Sequence, residues 1–223
     1  MKLNLTELEI RILGSLMEKE LTTPENYPLS MNALQSACNQ KSNRDPVLNL
    51  GEAEINQGLA GLAAKGLARR TTTGGRVDRY CHSLGDKLGL DPAARAILTE
   101  LMLRGPQTPG ELRNRCERMV QIADPEGVEG LLAKLMQFGP PLVIRLPRQP
   151  GRKEARYLQV FAGMPEITEE EPLEDAEKGP AQVRPKTPPR RERVLQLQEE
   201  VASLKGELGD LRQQVQGVIA AFK

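Results

Sequence analysis

Residues 21–50 read LTTPENYPLSMNALQSACNQKSNRDPVLNL. Pro24 and Pro28 forbid a helix from running through the start of this segment. Proline lacks the amide donor and pushes the residue before it out of helical geometry. Ser30 then suits the N-cap of a short helix ending at Cys38, with Met31, Leu34 and Cys38 inward. Long polar loops flank that helix. They are rich in Asn, Asp, Ser and Pro, so they read either as bridges held by side-chain hydrogen bonds or as a surface for a partner.

Working outward, the preceding helix starts at TELE, a capping box in which Thr6 and Glu9 exchange hydrogen bonds with each other's backbone. Leu5 and Ile10 stand where a hydrophobic staple would place them. Leu5, Leu8, Ile12, Leu16 and Met17 share one stripe, with Glu9, Arg11 and Lys19 elsewhere. Downstream, a third helix is expected from Asn49 as cap, with Glu52 at the box position and Ile55, Leu59 and Leu62 buried. Gly66 ends it. LARRTTT and RVDRYC then read as strands around Gly74–Gly75.

The plan is written twice. Asp91 caps a helix with Pro92 at its first position, Thr108 and Glu111 form a second capping box, and DPEGVEGLLAKLMQF repeats cap, proline and apolar stripe. LVIRLP and ARYLQVF are strands flanking RQPGRKE. Leu5, Ile12, Leu13, Leu16 and Met17 match Leu90, Ile97, Leu98, Leu101 and Met102 at a displacement of 85. Ser30, Leu34 and Cys38 match Thr108, Leu112 and Cys116 at 78; Ile55, Leu59 and Leu62 match Val128, Leu132 and Leu135 at 73. The helix stripes alone equally suit a bundle, and the paired strands tip the choice. The expected fold is mainly α with small β-hairpins: winged-helix domains at 1–86 and 87–162, a linker at 163–191 and a coiled-coil helix at 192–223.

TTPENYPLS, ACNQKSNRDPV and LNL, together with LRGPQTPGELRNRCERM and LPRQPGRKEARYLQVF, make residues 3–162 resemble the YceH family of uncharacterised bacterial proteins. The resemblance implies tandem winged-helix domains. It brings no catalytic or ligand residues.

Beyond Phe161 an acidic run and a Pro-rich basic run lack any apolar period, which is linker composition. Val194, Leu197, Val201, Leu204, Leu208, Leu211, Val215 and Val218 then alternate at spacings of 3 and 4, with Phe222 next. Mostly Val at a and Leu at d favours a parallel two-stranded coil, so a homodimer is expected; a helix folded back on the domains is the alternative.

With three scattered cysteines and one histidine, no disulfide framework or recognisable metal spacing is present. Cys81 and His82 are neighbours on an expected strand and would face opposite ways, so they do not read as a catalytic pair. No phosphate-binding glycine motif occurs. The expectation is a non-enzyme that needs no cofactor. A start without a long apolar run and the lack of any apolar stretch of about 20 residues lead us to expect a cytoplasmic protein, not a membrane-bound one.

Net charge is +1, so no global field draws the chain to nucleic acid. Residues 1–89 carry 11 basic and 10 acidic side chains, residues 90–161 carry 11 and 8, and residues 162–223 carry 9 and 12. The expected third helices expose Glu52, Glu54, Asn56, Gln57 and Lys65, and Glu126, Glu129 and Lys134. Acids at a leading end repel phosphates, although they also suit a helix N-terminus. The candidate nucleic-acid contacts are therefore Arg76, Arg79, Arg148, Arg152 and Lys153 in or beside the wings, with Lys41, Asn43 and Arg44 in the long loop. Arg113, Arg115 and Arg118 add charge in the second half. Two functions stand: a dimeric DNA-associated regulator that holds phosphates mainly through its wings, and a protein-interaction adaptor.

Overall fold

Helix α1 (Glu7–Thr22) organises the chain. In the computed structural model, which describes residues 4–72, 77–148 and 154–165, its capping box is complete. Thr6 Oγ accepts from the Glu9 amide at 3.2 Å and Glu9 Oε2 accepts from the Thr6 amide at 2.7 Å. The expected one-sided stripe is corrected. Ile10, Ile12, Leu13, Leu16 and Met17 are buried, but so are Glu9, Arg11, Ser15 and Glu18. A helix covered on every side is a core helix, and here the second half of the chain covers the face that seemed free.

After α1 come a single 3-10 turn at Pro24–Asn26, strand β1 (Leu29–Ser30) and helix α2 (Met31–Cys38), which Ser30 caps as expected. Helix α3 (Glu52–Ala64) starts later than expected. Its N-cap is Gly51, whose amide donates to Glu54 Oε2 at 2.8 Å, so Glu54 rather than Glu52 takes the box position. Gly66 ends α3 at φ +67°, a left-handed conformation that glycine adopts without strain. Strands β2 (Ala68–Thr71) and β3 (Arg79–His82) pair antiparallel, Arg70 opposite Tyr80 and Thr71 opposite Arg79. Strand β1 adds to the far edge of β3, giving the order β1–β3–β2. Helix α4 (Leu84–Leu88), unanticipated from the sequence, follows; the expected boundary at 86/87 falls inside it.

The second half repeats the order. Helix α5 (Pro92–Arg104) is capped by Asp91, α6 (Pro109–Cys116) by the Thr108–Glu111 box, and α7 (Pro125–Met136) by Asp124. Strands β4 (Val143–Arg145) and β5 (Tyr157–Gln159) pair antiparallel. Gln107 exchanges two backbone hydrogen bonds with Tyr157, at 3.0 and 2.8 Å. Gln107 precedes the α6 cap just as Leu29 precedes the α2 cap, so this bridge is the counterpart of β1.

The two halves meet at α1 and α5. The approach is close because residue 14 is glycine: a Cβ there would stand 3.0 Å from Met102 Cβ and Leu103 Cδ2. Buried residues from both halves make one hydrophobic cluster, and the Leu5 amide donates to the Phe161 carbonyl at 2.7 Å. All described residues lie in one compact unit. Among them no helix is long and apolar enough to cross a membrane. Residues 73–76 and 149–153, and the expected coil at 192–223 with nearly all of the linker, lie outside the described residues.

Candidate nucleic-acid interface

Helix α3 turns Ile55, Leu59 and Leu62 inward, which leaves Asn56, Gln57, Ala60 and Ala63 on its outer face. Beside that face lie β2 and β3. Together they line a cleft of about 200 Å³, with Asn56, Ala60 and Ala63 on one side and Arg70 and Tyr80 on the other. Glu54 is engaged in capping, and Lys65 pairs with Glu9, so neither is an unattached charge on the helix surface.

Arg69 and Arg70 are exposed and line this cleft, whereas Arg79 is exposed on β3 opposite Thr71, outside the lining and on the other face of the hairpin from Arg70 and Tyr80. Arg70 pairs with Asp78 at 2.9 Å, but both side chains are well exposed, and such a pair contributes at most about 1 kcal/mol. Arg79 Nη1 donates to the Pro28 carbonyl at 2.8 Å, and Arg69 Nε to Cys81 Sγ at 3.2 Å. A guanidinium has five N–H donors, so each arginine retains others. Arg69 and Arg70 were absent from the residues expected from the sequence; the signal was the pair of adjacent arginines in LARRTTT. Arg76 lies outside the described residues.

In the second half Arg145 and Arg148 are exposed, while Arg152 and Lys153 lie outside the described residues. Arg156 pairs with Glu111 at 2.9 and 3.2 Å. Helix α7 exposes Glu126, Glu129 and Lys134.

The loop after α2 departs from expectation. Lys41 is exposed, but Arg44 is buried, and its placement among phosphate contacts is corrected. Its guanidinium donates to Glu18 Oε1 at 3.0 Å and Oε2 at 2.5 Å, and also to the carbonyls of Ala37 and Asn43. A basic side chain without solvent is held by a buried carboxylate, which leaves it nothing to offer a phosphate. Asn43, at φ +55°, is half-buried and accepts from Arg104 Nη1 at 3.1 Å through Oδ1. The Asp45 amide donates to the Leu103 carbonyl at 2.9 Å, Arg11 reaches the Pro46 carbonyl, and Asn39 exchanges two hydrogen bonds with Leu50. Of the two readings of this loop, the structure shows the side-chain-bonded bridge.

Arg118 completes the network from the second half, at 2.5 Å from Glu18 and 2.7 Å from Glu100. Its residue stays exposed, as expected of surface charge, but its guanidinium reaches in to these two buried carboxylates. Burial pushes the Glu18 carboxyl up, but hydrogen bonds from Arg44 and the charges of Arg44, Arg118 and Lys19 outweigh it, holding the group at about 2. Glu100 moves the other way. Burial raises it more than Arg118 lowers it, and its Oε2 has no hydrogen-bond partner among the described residues.

The Cys81–His82 neighbours do not pair. His82 Nε2 lies 2.9 Å from Glu20 Oε2, an oxygen shared with Arg95 at 2.6 Å, whereas Cys81 meets Arg69. Burial pushes the Cys38 thiol up and the Cys116 thiol to about 12, so neither is poised as a thiolate. Among the described residues no three His, Cys, Asp or Glu side chains are grouped to hold a metal.

A family model described as "Protein of unknown function, DUF480" matches residues 5–152. A UPF0502 protein of Citrifermentans bemidjiense is 59% identical over 226 residues, covering 100% of both chains. One from Geotalea uraniireducens is 59% identical over 95% of this chain and 92% of its own, and one from Pelobacter propionicus 49% identical over 100% of both. Matched over residues 5–152 by the family model and end to end by two of these bacterial relatives, the chain belongs to the DUF480 family, and these relatives carry the name UPF0502 protein.

Proposed function

We propose that the chain is a DNA-associated regulator built from two winged helices and paired into a homodimer by its C-terminal coil. The observation that carries this reading is the juxtaposition of an outer α3 face of Asn56, Gln57, Ala60 and Ala63 with exposed Arg69 and Arg70 on β2, with Arg79 exposed on the other face of the same hairpin. Small side chains let a helix approach a groove closely. Asn and Gln present paired donors and acceptors to base edges, and arginines beside them hold phosphates. Of the acids at the leading end of α3, Glu54 serves the cap, while Glu52 stays exposed there and counts against a close approach of phosphate to that end. Arg145 and Arg148 supply the same function in the second half, and Arg76, Arg152 and Lys153, outside the described residues, are further candidates from the sequence.

The test is fluorescence anisotropy of the full chain with a random duplex at low salt. Binding is expected to weaken steeply with added salt. Arg69→Ala, Arg70→Ala and Arg79→Ala together should reduce the slope of log K against log salt by about 3, close to one for each phosphate that is no longer neutralised. Absence of binding at about 50 mM salt, or binding indifferent to these three changes, overturns the reading. Analytical ultracentrifugation should give twice the 24.6 kDa chain mass, falling to one chain in the double variant Leu204→Asp, Leu211→Asp.

The adaptor reading is favoured by α7, whose exposed Glu126 and Glu129 would repel a phosphate backbone. Changing both to Lys separates the two uses of this helix. Tighter DNA binding places α7 against DNA; unchanged binding leaves that face for a protein.

A further inference from the structure

Helix α4 and the turn between α7 and β4 line a partly open cavity of about 300 Å³ that the DNA-binding reading does not use. Leu84 and Leu88 form one wall, and Phe138, Pro140 and Leu142 the other. The walls come from different halves of the chain. Leu84 and Leu142 are buried, Leu88 and Phe138 are partly covered, and Lys87, Gly139 and Pro140 are exposed, so the space is mainly apolar and opens to solvent on one side.

One charged side chain, Lys87, lines the cavity, and its residue is exposed. Its ammonium donates to the Lys65 carbonyl at 3.0 Å, which uses one of three N–H donors. No carboxylate lines the space, and Asp86, next to Lys87 on α4, is not part of the wall. An apolar chamber with a single cation is complementary to a small molecule with a hydrocarbon body and one anionic head. The volume is at the lower end of small-molecule sites, which suits a compact ligand.

We propose that this cavity is an effector site for a short-chain or medium-chain carboxylic acid. The hydrocarbon lies between Leu84, Leu88, Phe138 and Leu142, and the carboxylate meets Lys87. Because its walls belong to both halves, an occupant ties α4 to the α7–β4 turn and stabilises their present arrangement. Binding to the folded chain alone also raises thermal stability by mass action.

The test is calorimetric titration of the full chain with octanoate, using octan-1-ol as the uncharged counterpart and amide NMR shifts to locate the site. One octanoate per chain is expected, with Kd of about 1 mM or tighter, and shifts centred on residues 84–88 and 138–142. Lys87→Gln should weaken octanoate about tenfold and leave octan-1-ol unchanged, because it removes one charge-assisted hydrogen bond. Leu88→Trp, at a half-buried position, should fill the space and abolish octanoate binding while the amide spectrum stays folded. Absence of saturable binding in the wild type, shifts centred elsewhere, or octanoate affinity unaffected by Lys87→Gln overturns the proposal.

Discussion

Glu18→Gln removes the charge at the centre of the buried network. The change keeps shape and removes charge at a side chain with no solvent exposure. Glu18 accepts two hydrogen bonds from Arg44, at 3.0 and 2.5 Å, and lies 2.5 Å from Arg118. A glutamine turns one of those acceptors into an NH₂ donor facing a guanidinium, and leaves the buried Arg44 charge without its partner. A carboxyl held at about 2 instead of 4.5 corresponds to about 3 kcal/mol of stabilisation. Breaking a buried pair from one side costs about 3–5 kcal/mol, so two routes agree. Against a total stability on the order of 5–15 kcal/mol this is a large fraction. Urea unfolding followed by far-ultraviolet circular dichroism measures it. The pH dependence has a defined sign. The folded carboxyl titrates below its unfolded value, so its contribution is complete above about pH 4.5 and disappears as pH falls toward 2. The gap between wild type and variant should therefore be widest near neutrality and close in acid. A gap under about 0.5 kcal/mol at neutral pH, or one that does not narrow in acid, refutes the assignment of this network.

Glu100→Gln should behave oppositely: its carboxyl is raised by burial, so the charged form costs stability above its folded value, and a glutamine oxygen still accepts from Arg118. Stability at neutral pH is expected to be unchanged or higher, as read by the same urea titration. Gly14→Ala places a methyl 3.0 Å from Met102 Cβ, which cannot move without α5; a loss of about 1–2 kcal/mol should remain after the gain in helix propensity. Gly130→Ala, also within a helix but with nothing within 4 Å, should instead raise stability by about 0.5–1 kcal/mol in thermal unfolding. Thr108→Ala removes the oxygen that accepts from the Glu111 amide at 3.2 Å and should cost about 1 kcal/mol by urea unfolding.

Local signals were the most legible part of this chain. Thr6, Ser30, Asp91, Thr108 and Asp124 all cap where the sequence places them, because a cap depends on residues within one helical turn. At α3 two box readings compete over four residues. Gly51, with no side chain to announce it, takes the cap through its amide. Strand β1 and the Gln107 bridge are too short for a period-2 pattern, and α4, at five residues, gives little helical period.

The charges were harder to place, for a different reason. Glu18, Arg44, Glu100 and Arg118 look like solvated surface when each is read against its neighbours. Their pairing joins residues 26, 18 and 100 positions apart, and no periodicity reports that. Arg44 was especially misleading, since turn formers surround it and basic loop residues suit phosphates. The burial of α1 on every side was hidden for the same reason: its polar positions are filled by charges whose partners lie far along the chain. Arg69 and Arg70 were visible as a pair, but their position beside the outer face of α3 comes from strand pairing across the hairpin.

The account rests on α1 and α5 joining the two halves through their packing and through the Glu18–Arg44–Arg118–Glu100 network. Native-state hydrogen exchange of the full chain tests this most directly. Amides of α1, α2 and α5 should exchange with one shared opening free energy, equal to that of global unfolding, and Glu18→Gln should lower all three together. If α5 and α6 open at lower free energy while α1 and α2 stay protected, the halves are independent and the account is contradicted.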